Sequence, residues 1–286
     1  MFRRAVWRLQ PVWNSRYHST QTQNTQPLSS ISPHELEKFT RISAEWWDPN
    51  GSFKYLHTMN RPRVQFIRQT LLDMHKSPKG SVLANLRGID VGCGGGLATE
   101  SLARLGISMV GIDAAKENIM MARMHQQQDP MLASKIEYRN ETAESRLGDT
   151  QQKNEFDVVV SLEVIEHVRD PFLFVKSLVD LAKPGGMVVL STMNKSAVSW
   201  IVDIVVPEYI MQSVALGTHD YSKFIPPEEL MQMLQACGAQ TLDIQGLILN
   251  PLSNQCFLVS QDCCGPLLPN IGVQANYILA ARKKKD

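Results

Sequence analysis

The feature that most constrains the fold of this chain is a regular alternation of short apolar runs with longer amphipathic segments. The apolar runs have the length of buried β-strands and occupy residues 88–91, 108–112, 136–139, 157–162 and 187–192. Helical spacing marks the segments between them, residues 98–105, 116–127 and 171–181. Strands that alternate with helices form a mostly parallel sheet covered on both faces. With two later runs, 241–249 and 277–281, the sequence predicts an α/β fold around seven strands.

A glycine-rich loop follows the first predicted strand. Residues 89–96 read IDVGCGGG, so Gly92, Gly94 and Gly96 have the spacing GxGxG. Glycine allows the sharp turn and the close backbone approach that a nucleotide cofactor requires. A dinucleotide-binding loop would have a further glycine at position 97, where this chain has Leu97. The spacing therefore favours S-adenosylmethionine as the bound cofactor.

Candidate cofactor contacts follow the next three predicted strands. Asp113 ends the second strand, where a carboxylate can accept hydrogen bonds from both ribose hydroxyls. Ala143 and Glu144 follow the third strand, where methyltransferases often place an adenine contact. Leu162 ends the fourth strand, at the edge of the sheet where ligands bind. The ordered set predicts a methyltransferase, and a purely structural glycine turn is the alternative.

The overall charge gives no support to a nucleic-acid partner. Lysine and arginine number 29 and aspartate and glutamate 28, so the chain lacks the basic field that nucleic acids require. The five cysteines show neither CxxC pairs nor a secreted disulfide pattern, which is typical of a reducing compartment. No run approaches the ~18 apolar residues of a membrane-spanning helix.

The amino-terminal residues differ in composition from the rest of the chain. Residues 1–32 contain several arginines and no acid, with interleaved apolar residues and then a Ser/Thr/Gln/Asn tract. This pattern predicts a mitochondrial presequence and a polar linker, and an ordinary disordered tail is the alternative. Residues 33–80 are predicted as a helical flank or lid, with one helix running through Trp46 and Trp47 and a second from Arg63 to His75. Residues 81–286 then form the catalytic domain.

An apolar insertion is predicted at residues 196–222 of that domain. It includes Trp200 and Ile204 and contains few charges. Such a segment either packs into the core or dips into a membrane interface to receive a lipid substrate. The sequence leaves both alternatives open.

Longer motifs of the chain resemble the ubiquinone-biosynthesis O-methyltransferase family. The similarity runs from about residue 39 to the carboxyl end and includes the glycine loop and residues 163–168, which read EVIEHV. Two motifs are more specific to the family, Trp46-Trp47-Asp48 and Gly217-Thr218-His219-Asp220. The resemblance implies a Rossmann-like class I methyltransferase fold, with a mostly parallel seven-stranded sheet, helices on both faces and an N-terminal helical flank.

The resemblance also implies an activity and a set of cofactor contacts. The expected reaction is S-adenosylmethionine-dependent O-methylation of a polyprenyl-dihydroxybenzoate and of demethylubiquinol. The family's cofactor-contact positions correspond here to Arg63, Gly92, Asp113 and Leu162, although Arg61 could take the role of Arg63. The expected location is the mitochondrial matrix, peripheral to the inner membrane, within a multiprotein ubiquinone-biosynthesis complex.

Glu163, Glu166 and His167 are the candidate catalytic and metal-binding residues. Their spacing of i, i+3 and i+4 puts them on one face if a helix starts there. They could then hold Mg²⁺ or a similar divalent cation, which would lower the pKa of a catechol hydroxyl. Alternatively, His167 acts alone as a general base, or the two glutamates only solvate a helix start.

Two other functions stay open at the level of sequence. A quinone-ring C-methyltransferase would use the same cofactor but transfer the methyl group to carbon. A non-catalytic scaffold would bind S-adenosylmethionine within the biosynthetic complex without turnover.

Overall fold

The computed structural model describes six stretches of the chain: residues 43–76, 80–148, 153–200, 220–250, 253–261 and 270–285. The predicted presequence and linker, the beginning of the predicted flank and residues 201–219 of the predicted insertion lie outside them. Those predictions therefore stay predictions, as does the division of the chain into a presequence, a flank and a catalytic domain.

A single mixed sheet dominates the described residues. Its strands are β1 Arg87–Val91, β2 Ser108–Asp113, β3 Ile136–Asn140, β4 Phe156–Leu162, β5 Ala182–Met193, β6 Ala239–Asn250, β7 Gln255–Ser260 and β8 Asn276–Lys283. Their order is β3-β2-β1-β4-β5-β8-β6-β7. The first five strands in that order run parallel, whereas β8 is antiparallel to both β5 and β6, and β7 is antiparallel to β6.

The mostly parallel sheet confirms the predicted fold, with one strand more than the sequence predicted. The additional strand among the described residues is β7, which pairs with β6 at the edge of the sheet. Its Phe257 is exposed and lies opposite the exposed Ile248 of β6. Its apolar run, residues 256–259, is only four residues long, and periodicity does not distinguish so short a run from other apolar segments.

Helices cover both faces of the sheet, as predicted. They are α1 Lys54–Met74, α2 Leu97–Arg104, α3 Lys116–Gln126, α4 Pro130–Ala133, α5 Ala143–Leu147, α6 Pro171–Leu181, α7 Ala197–Ser199 and α8 Pro227–Ala236. One apolar core joins α6 and α8 to the sheet, and a second joins α1, α2 and α3 to its other face. No helix of the described stretches is long and apolar enough to cross a membrane.

The amino-terminal flank differs from its prediction in two ways. Trp46 and Trp47 lie in a turn after a short 3-10 helix, Ser43–Glu45, so the predicted helix through them is wrong. Helix α1 begins at Lys54 rather than at Arg63 and passes through Pro62. Proline cannot donate the helical hydrogen bond, but one face of α1 is buried along the sheet, and this packing outweighs the missing bond.

Candidate active site

The predicted cofactor residues meet at one edge of the sheet. Strand β1 lies between β2 and β4 and runs parallel to both, so the carboxyl ends of the three strands are neighbours. Gly92 follows β1, Asp113 ends β2 and Leu162 ends β4. Ligands of open α/β sheets bind at this edge. The structure therefore brings together three of the four predicted cofactor residues through topology alone.

The glycine loop between β1 and α2 is anchored to β2. The amides of Gly92 and Cys93 both donate hydrogen bonds to the carbonyl oxygen of Ile112. Gly94 has a φ of +54°, and a Cβ atom there would collide with the Trp46 indole. The loop thus needs glycine at position 94 both for its left-handed backbone and for the close approach of an aromatic ring.

Asp113 is held in place by three hydrogen bonds, two from loop amides and one from a side chain of helix α3. Its Oδ2 accepts from the amide of Gly94 at 2.9 Å, and its Oδ1 accepts from the amide of Ala115 at 2.8 Å and from Asn118 Nδ2 at 3.2 Å. Burial raises the pKa of Asp113, although the two backbone hydrogen bonds counteract this rise. A carboxylate offers about four acceptor positions. Asp113 can therefore accept a ribose hydroxyl in addition to these contacts.

Asp90, on the strand before the glycine loop, is a buried acid that sequence reasoning did not single out. It lies in β1 and accepts a hydrogen bond of 2.6 Å from Thr99 Oγ1 on α2. Burial raises the pKa of Asp90 to about 6, against the effect of the Thr99 hydrogen bond. Asp90 thus ties the strand before the glycine loop to the helix after it.

Arg63 joins helix α1 to the end of β4. Its guanidinium is almost completely buried, and Nη2 forms an ion pair of 2.8 Å with Glu163 Oε1. The Nε atom of Arg63 is buried without a hydrogen-bond partner. Arg61, by contrast, is exposed on the same helix. Of the two arginines, Arg63 is therefore the one that reaches the candidate site.

Glu163 departs from the geometry that its spacing suggested. Its φ is +56°, in the left-handed region that is uncommon for residues other than glycine. Its amide donates to the carbonyl of Ser191 at 3.0 Å, and its Oε1 accepts from Ser191 Oγ at 2.6 Å. The adjacent strand β5 and Arg63 thus fix both the backbone and the side chain of Glu163. Strained residues of this kind persist where surrounding contacts determine them, often at functional sites.

Glu166 and His167 lie in a 3-10 turn, Ile165–His167, so the α-helix that would have placed Glu163, Glu166 and His167 on one face does not form. Glu166 is buried; its Oε2 accepts from Thr192 Oγ1 at 2.9 Å, and its Oε1 has no partner. Burial and the nearby Glu163 charge raise the pKa of Glu166 to about 7, although attraction to His167 and the Thr192 bond counteract the rise. An acid with such a pKa changes its charge near neutral pH, which general acid–base chemistry requires.

The predicted metal ligands do not form a preformed cation site. Within the described stretches, no three His, Cys, Asp or Glu side chains are grouped so that they could hold a metal ion. Glu163 is paired with Arg63, whose positive charge occupies the position next to the carboxylate that a cation would need. The donor types suit magnesium, but their arrangement in this structure does not.

Similarity to known proteins identifies the family of this chain. A family model described as a methyltransferase domain matches residues 55–244. The mitochondrial ubiquinone biosynthesis O-methyltransferase of Arabidopsis thaliana is 41% identical over 270 residues, which cover 94% of this chain and 79% of the relative. The chain belongs to the ubiquinone biosynthesis O-methyltransferase family. A ubiquinone biosynthesis O-methyltransferase of Ruegeria pomeroyi is 38% identical over 259 residues, covering 90% of this chain and 98% of the relative.

Solved structures agree with the fold expected of a ubiquinone biosynthesis O-methyltransferase. The magnesium protoporphyrin IX methyltransferase of Synechocystis superposes with a TM-score of 0.56 at 16% identity, covering 88% of this chain and 95% of that one. A Burkholderia thailandensis 1,6-didemethyltoxoflavin-N1-methyltransferase superposes with a TM-score of 0.53 at 13% identity, covering 94% and 98%. The predicted Rossmann-like methyltransferase fold is confirmed, and with the family membership it makes this chain an S-adenosylmethionine-dependent O-methyltransferase.

Three residues of the site, Ser191, Thr192 and Asn118, were not predicted from the sequence as site residues. Ser191 and Thr192 were predicted only as strand residues, yet their hydroxyls bind the two glutamates. Asn118 lies within an amphipathic helix and is buried against Asp113. Its polarity on an otherwise apolar helix face was the one available signal. A polar residue at a buried position generally has a specific hydrogen-bond partner.

Proposed function

We propose that this enzyme transfers the methyl group of S-adenosylmethionine to a phenolic oxygen of a catechol-type polyprenyl intermediate of ubiquinone biosynthesis. The substrates would be a polyprenyl-dihydroxybenzoate and demethylubiquinol. One observation carries the proposal: the glycine loop and Asp113 lie at the same edge of the sheet as the segment after β4 that contains Glu163, the buried Glu166 and His167. A cofactor bound over the glycine loop and Asp113 would bring its methyl group towards Glu163, Glu166 and His167.

The cofactor would be held by four residues with separate roles. Gly92 allows the close approach of its amino-acid part, and Asp113 accepts the ribose hydroxyls. Leu162 supplies an apolar contact at the end of β4. Arg63 has a buried Nε–H without a partner, which supports a contact to a carboxylate of the ligand.

Methyl transfer would be an in-line displacement. The phenolate oxygen forms a bond to the methyl carbon while the carbon–sulfur bond breaks, and the sulfur keeps the electron pair to give S-adenosylhomocysteine. The phenolic proton passes to His167 as the general base. The negative charge of ionised Glu166 attracts the resulting imidazolium, in keeping with the effect of His167 on the pKa of Glu166.

We propose magnesium only as a ligand that would compete with Arg63 for Glu163. Two carboxylates and an imidazole are donors that a hard divalent cation accepts. Because Glu163 is paired with Arg63, a cation would bind only after that ion pair opened. No step of the proposed reaction therefore depends on it.

A methylation assay with defined substrates tests the proposal. Purified protein is incubated with S-adenosylmethionine and a short-chain prenyl dihydroxybenzoate, with EDTA, with Mg²⁺, and with EDTA followed by excess Mg²⁺. Mass spectrometry then locates the added methyl group. We expect the methyl group on a phenolic oxygen of the product, and we expect the enzyme to retain its activity in EDTA. Activity that vanishes in EDTA and returns with Mg²⁺ would favour the cation over His167.

Matched variants separate the residue roles. His167→Gln should lower kcat by about 10²- to 10⁴-fold, as loss of a general base does. Glu137→Gln is the control, because Glu137 is an exposed acid on β3. A ring-methylated product would indicate C-methylation instead. Tight cofactor binding without turnover over a panel of catechols would indicate a scaffold.

We further propose peripheral contact with the matrix side of the inner mitochondrial membrane, and membership of a multiprotein ubiquinone-biosynthesis complex. Support for membrane contact comes from Val198 and Trp200, two exposed apolar side chains shortly after β5. An aromatic side chain at such a position suits a membrane interface.

Liposome flotation tests the membrane contact. Trp200→Glu should reduce binding to vesicles that contain anionic lipid, whereas Met131→Glu should not, although Met131 is 82% exposed on the separate helix α4. Equal binding by both variants would contradict the proposal. Fusion of residues 1–32 to a fluorescent protein tests mitochondrial import, and affinity purification from mitochondria tests the complex.

A further inference from the structure

Two adjacent tryptophans fasten the amino-terminal segment to the candidate cofactor site. Trp47 Nε1 donates to the carbonyl oxygen of Gly95 at 2.9 Å, and its ring stacks on His125 of α3. Trp46 stacks on Phe53 with ring centroids 3.8 Å apart and lies against the glycine loop. The two indoles thus contact the glycine loop from a segment that precedes the sheet in sequence.

Trp46 also begins a chain of hydrogen bonds that ends at the ribose-binding carboxylate. Its Nε1 donates to Asn118 Oδ1 at 2.8 Å, and Asn118 Nδ2 donates to Asp113 Oδ1 at 3.2 Å. Both Trp46 and Asn118 are buried, so water does not readily replace these bonds. The amide of Asn118 is oriented by both partners, because its oxygen needs the indole N–H and its nitrogen needs the carboxylate.

The orientation of Asn118 affects which lone pairs of Asp113 stay free for a ligand. Asn118 and the Ala115 amide both bind Oδ1, and the Gly94 amide binds Oδ2. If Trp46 no longer held the oxygen of Asn118, that amide could rotate and its nitrogen would leave Oδ1. Asp113 would then lose one of its two contacts at Oδ1 and keep only the Ala115 amide there.

We propose that Trp46 is a positioning residue for cofactor binding, which acts through Asn118 to orient Asp113 towards the ribose hydroxyls. This inference rests on the proposed S-adenosylmethionine site. It assigns the Trp-Trp segment a specific part in that site: attachment of the amino-terminal flank and recognition of the ribose are energetically linked. Trp47, which binds the loop carbonyl instead, has no part in this chain of hydrogen bonds.

The test compares two ligands that differ only in the ribose. Calorimetry gives the dissociation constants of S-adenosylhomocysteine and of its 2′,3′-dideoxy analogue for the full chain. The wild-type protein should prefer the hydroxylated ligand by at least about 10-fold, because the ribose hydrogen bond to a charged acceptor is lost in the analogue. This ratio, rather than the affinity itself, measures recognition of the ribose.

Trp46→Phe removes the indole N–H and keeps an aromatic ring over the glycine loop. We expect the ratio to fall by about 2- to 10-fold, the value of one hydrogen bond. Asn118→Ala should lower it similarly, and the double variant should lower it no further, since both changes break the same chain. Trp47→Phe is the matched control: any loss of affinity should affect both ligands equally and leave the ratio unchanged.

Each outcome decides between the inference and a structural role. A purely structural role of Trp46 predicts weaker binding of both ligands with an unchanged ratio, which would overturn the inference, as would additive effects in the double variant. If Trp46→Phe does not fold, an unchanged ratio for Asn118→Ala would still overturn the inference, because Trp46 acts on Asp113 only through Asn118. Failure of the wild-type protein to bind S-adenosylhomocysteine would instead refute the proposed cofactor site itself.

Discussion

Replacement of Glu166 by glutamine should make the stability of the enzyme less dependent on pH. The carboxyl group of Glu166 is buried, and its pKa is raised from 4.5 to about 7. The difference of roughly 2.5 pKa units, at 1.36 kcal/mol per unit, means that ionised Glu166 destabilises the folded state by about 3 kcal/mol. Glutamine keeps an oxygen for Thr192 Oγ1 and carries no charge.

The sign of the effect follows from proton binding. Between pH 4.5 and 7 the folded state holds the Glu166 proton more tightly than the unfolded state, so the free energy of unfolding falls as pH rises. The contribution is fully present below pH 4.5 and is lost above pH 7. The free energy of unfolding of Glu166→Gln minus that of the wild type should therefore increase by about 3 kcal/mol as the pH rises from 5 to 8.5.

Urea denaturation at half-unit pH steps measures this difference. The amide N–H groups of the new glutamine can lower the free energy of unfolding by the same amount at every pH. The informative quantity is therefore how the difference between variant and wild type changes with pH. Glu137→Gln removes an exposed carboxylate and is the control for the loss of a surface charge. A difference between Glu166→Gln and the wild type that stays constant with pH would refute the raised pKa and the proton chemistry based on it.

Three further predictions concern the cofactor edge. Asp113→Asn should raise the dissociation constant of S-adenosylmethionine by about 10- to 100-fold, because charge-assisted hydrogen bonds to ribose are weakened. An unchanged dissociation constant in calorimetry would contradict this prediction. Gly94→Ala should lower the free energy of unfolding by about 1–3 kcal/mol, because the left-handed backbone is strained for alanine and its Cβ would collide with Trp46. A free energy of unfolding equal to that of the wild type, measured with urea, would contradict this prediction. Arg63→Met should cost about 3–5 kcal/mol by leaving buried Glu163 uncompensated. Denaturation of the double variant Arg63→Met/Glu163→Gln should recover much of that loss, and no recovery would contradict the ion-pair explanation.

Much of the fold was predictable because the central parallel strands β1, β2, β4 and β5 are largely buried on both faces. Such strands read as short apolar runs, and helix α6 begins and ends at the predicted residues, Pro171 and Leu181. Asp113 was predictable for the same reason, since the end of a buried strand is visible in the sequence. Parallel topology then places such residues at one edge without further information.

The details of the site depend on contacts between distant parts of the chain. The spacing of Glu163, Glu166 and His167 fits an α-helix, but Ser191 on β5 holds Glu163 in a left-handed conformation instead. Likewise, Trp46 has helical spacing to its neighbours, but its indole binds Asn118, 72 residues away. Periodicity reports which residues are apolar, and it carries no information on such tertiary hydrogen bonds.

A crystal structure of the full chain with S-adenosylhomocysteine would show whether the cofactor binds at this edge of the sheet. We predict ribose hydroxyls within hydrogen-bond distance of the Asp113 carboxylate, and a sulfur atom at the end of β4 that faces Glu163 and His167. A nucleotide ordered elsewhere on the folded protein, or one with its sulfur turned away from these residues, would contradict this prediction.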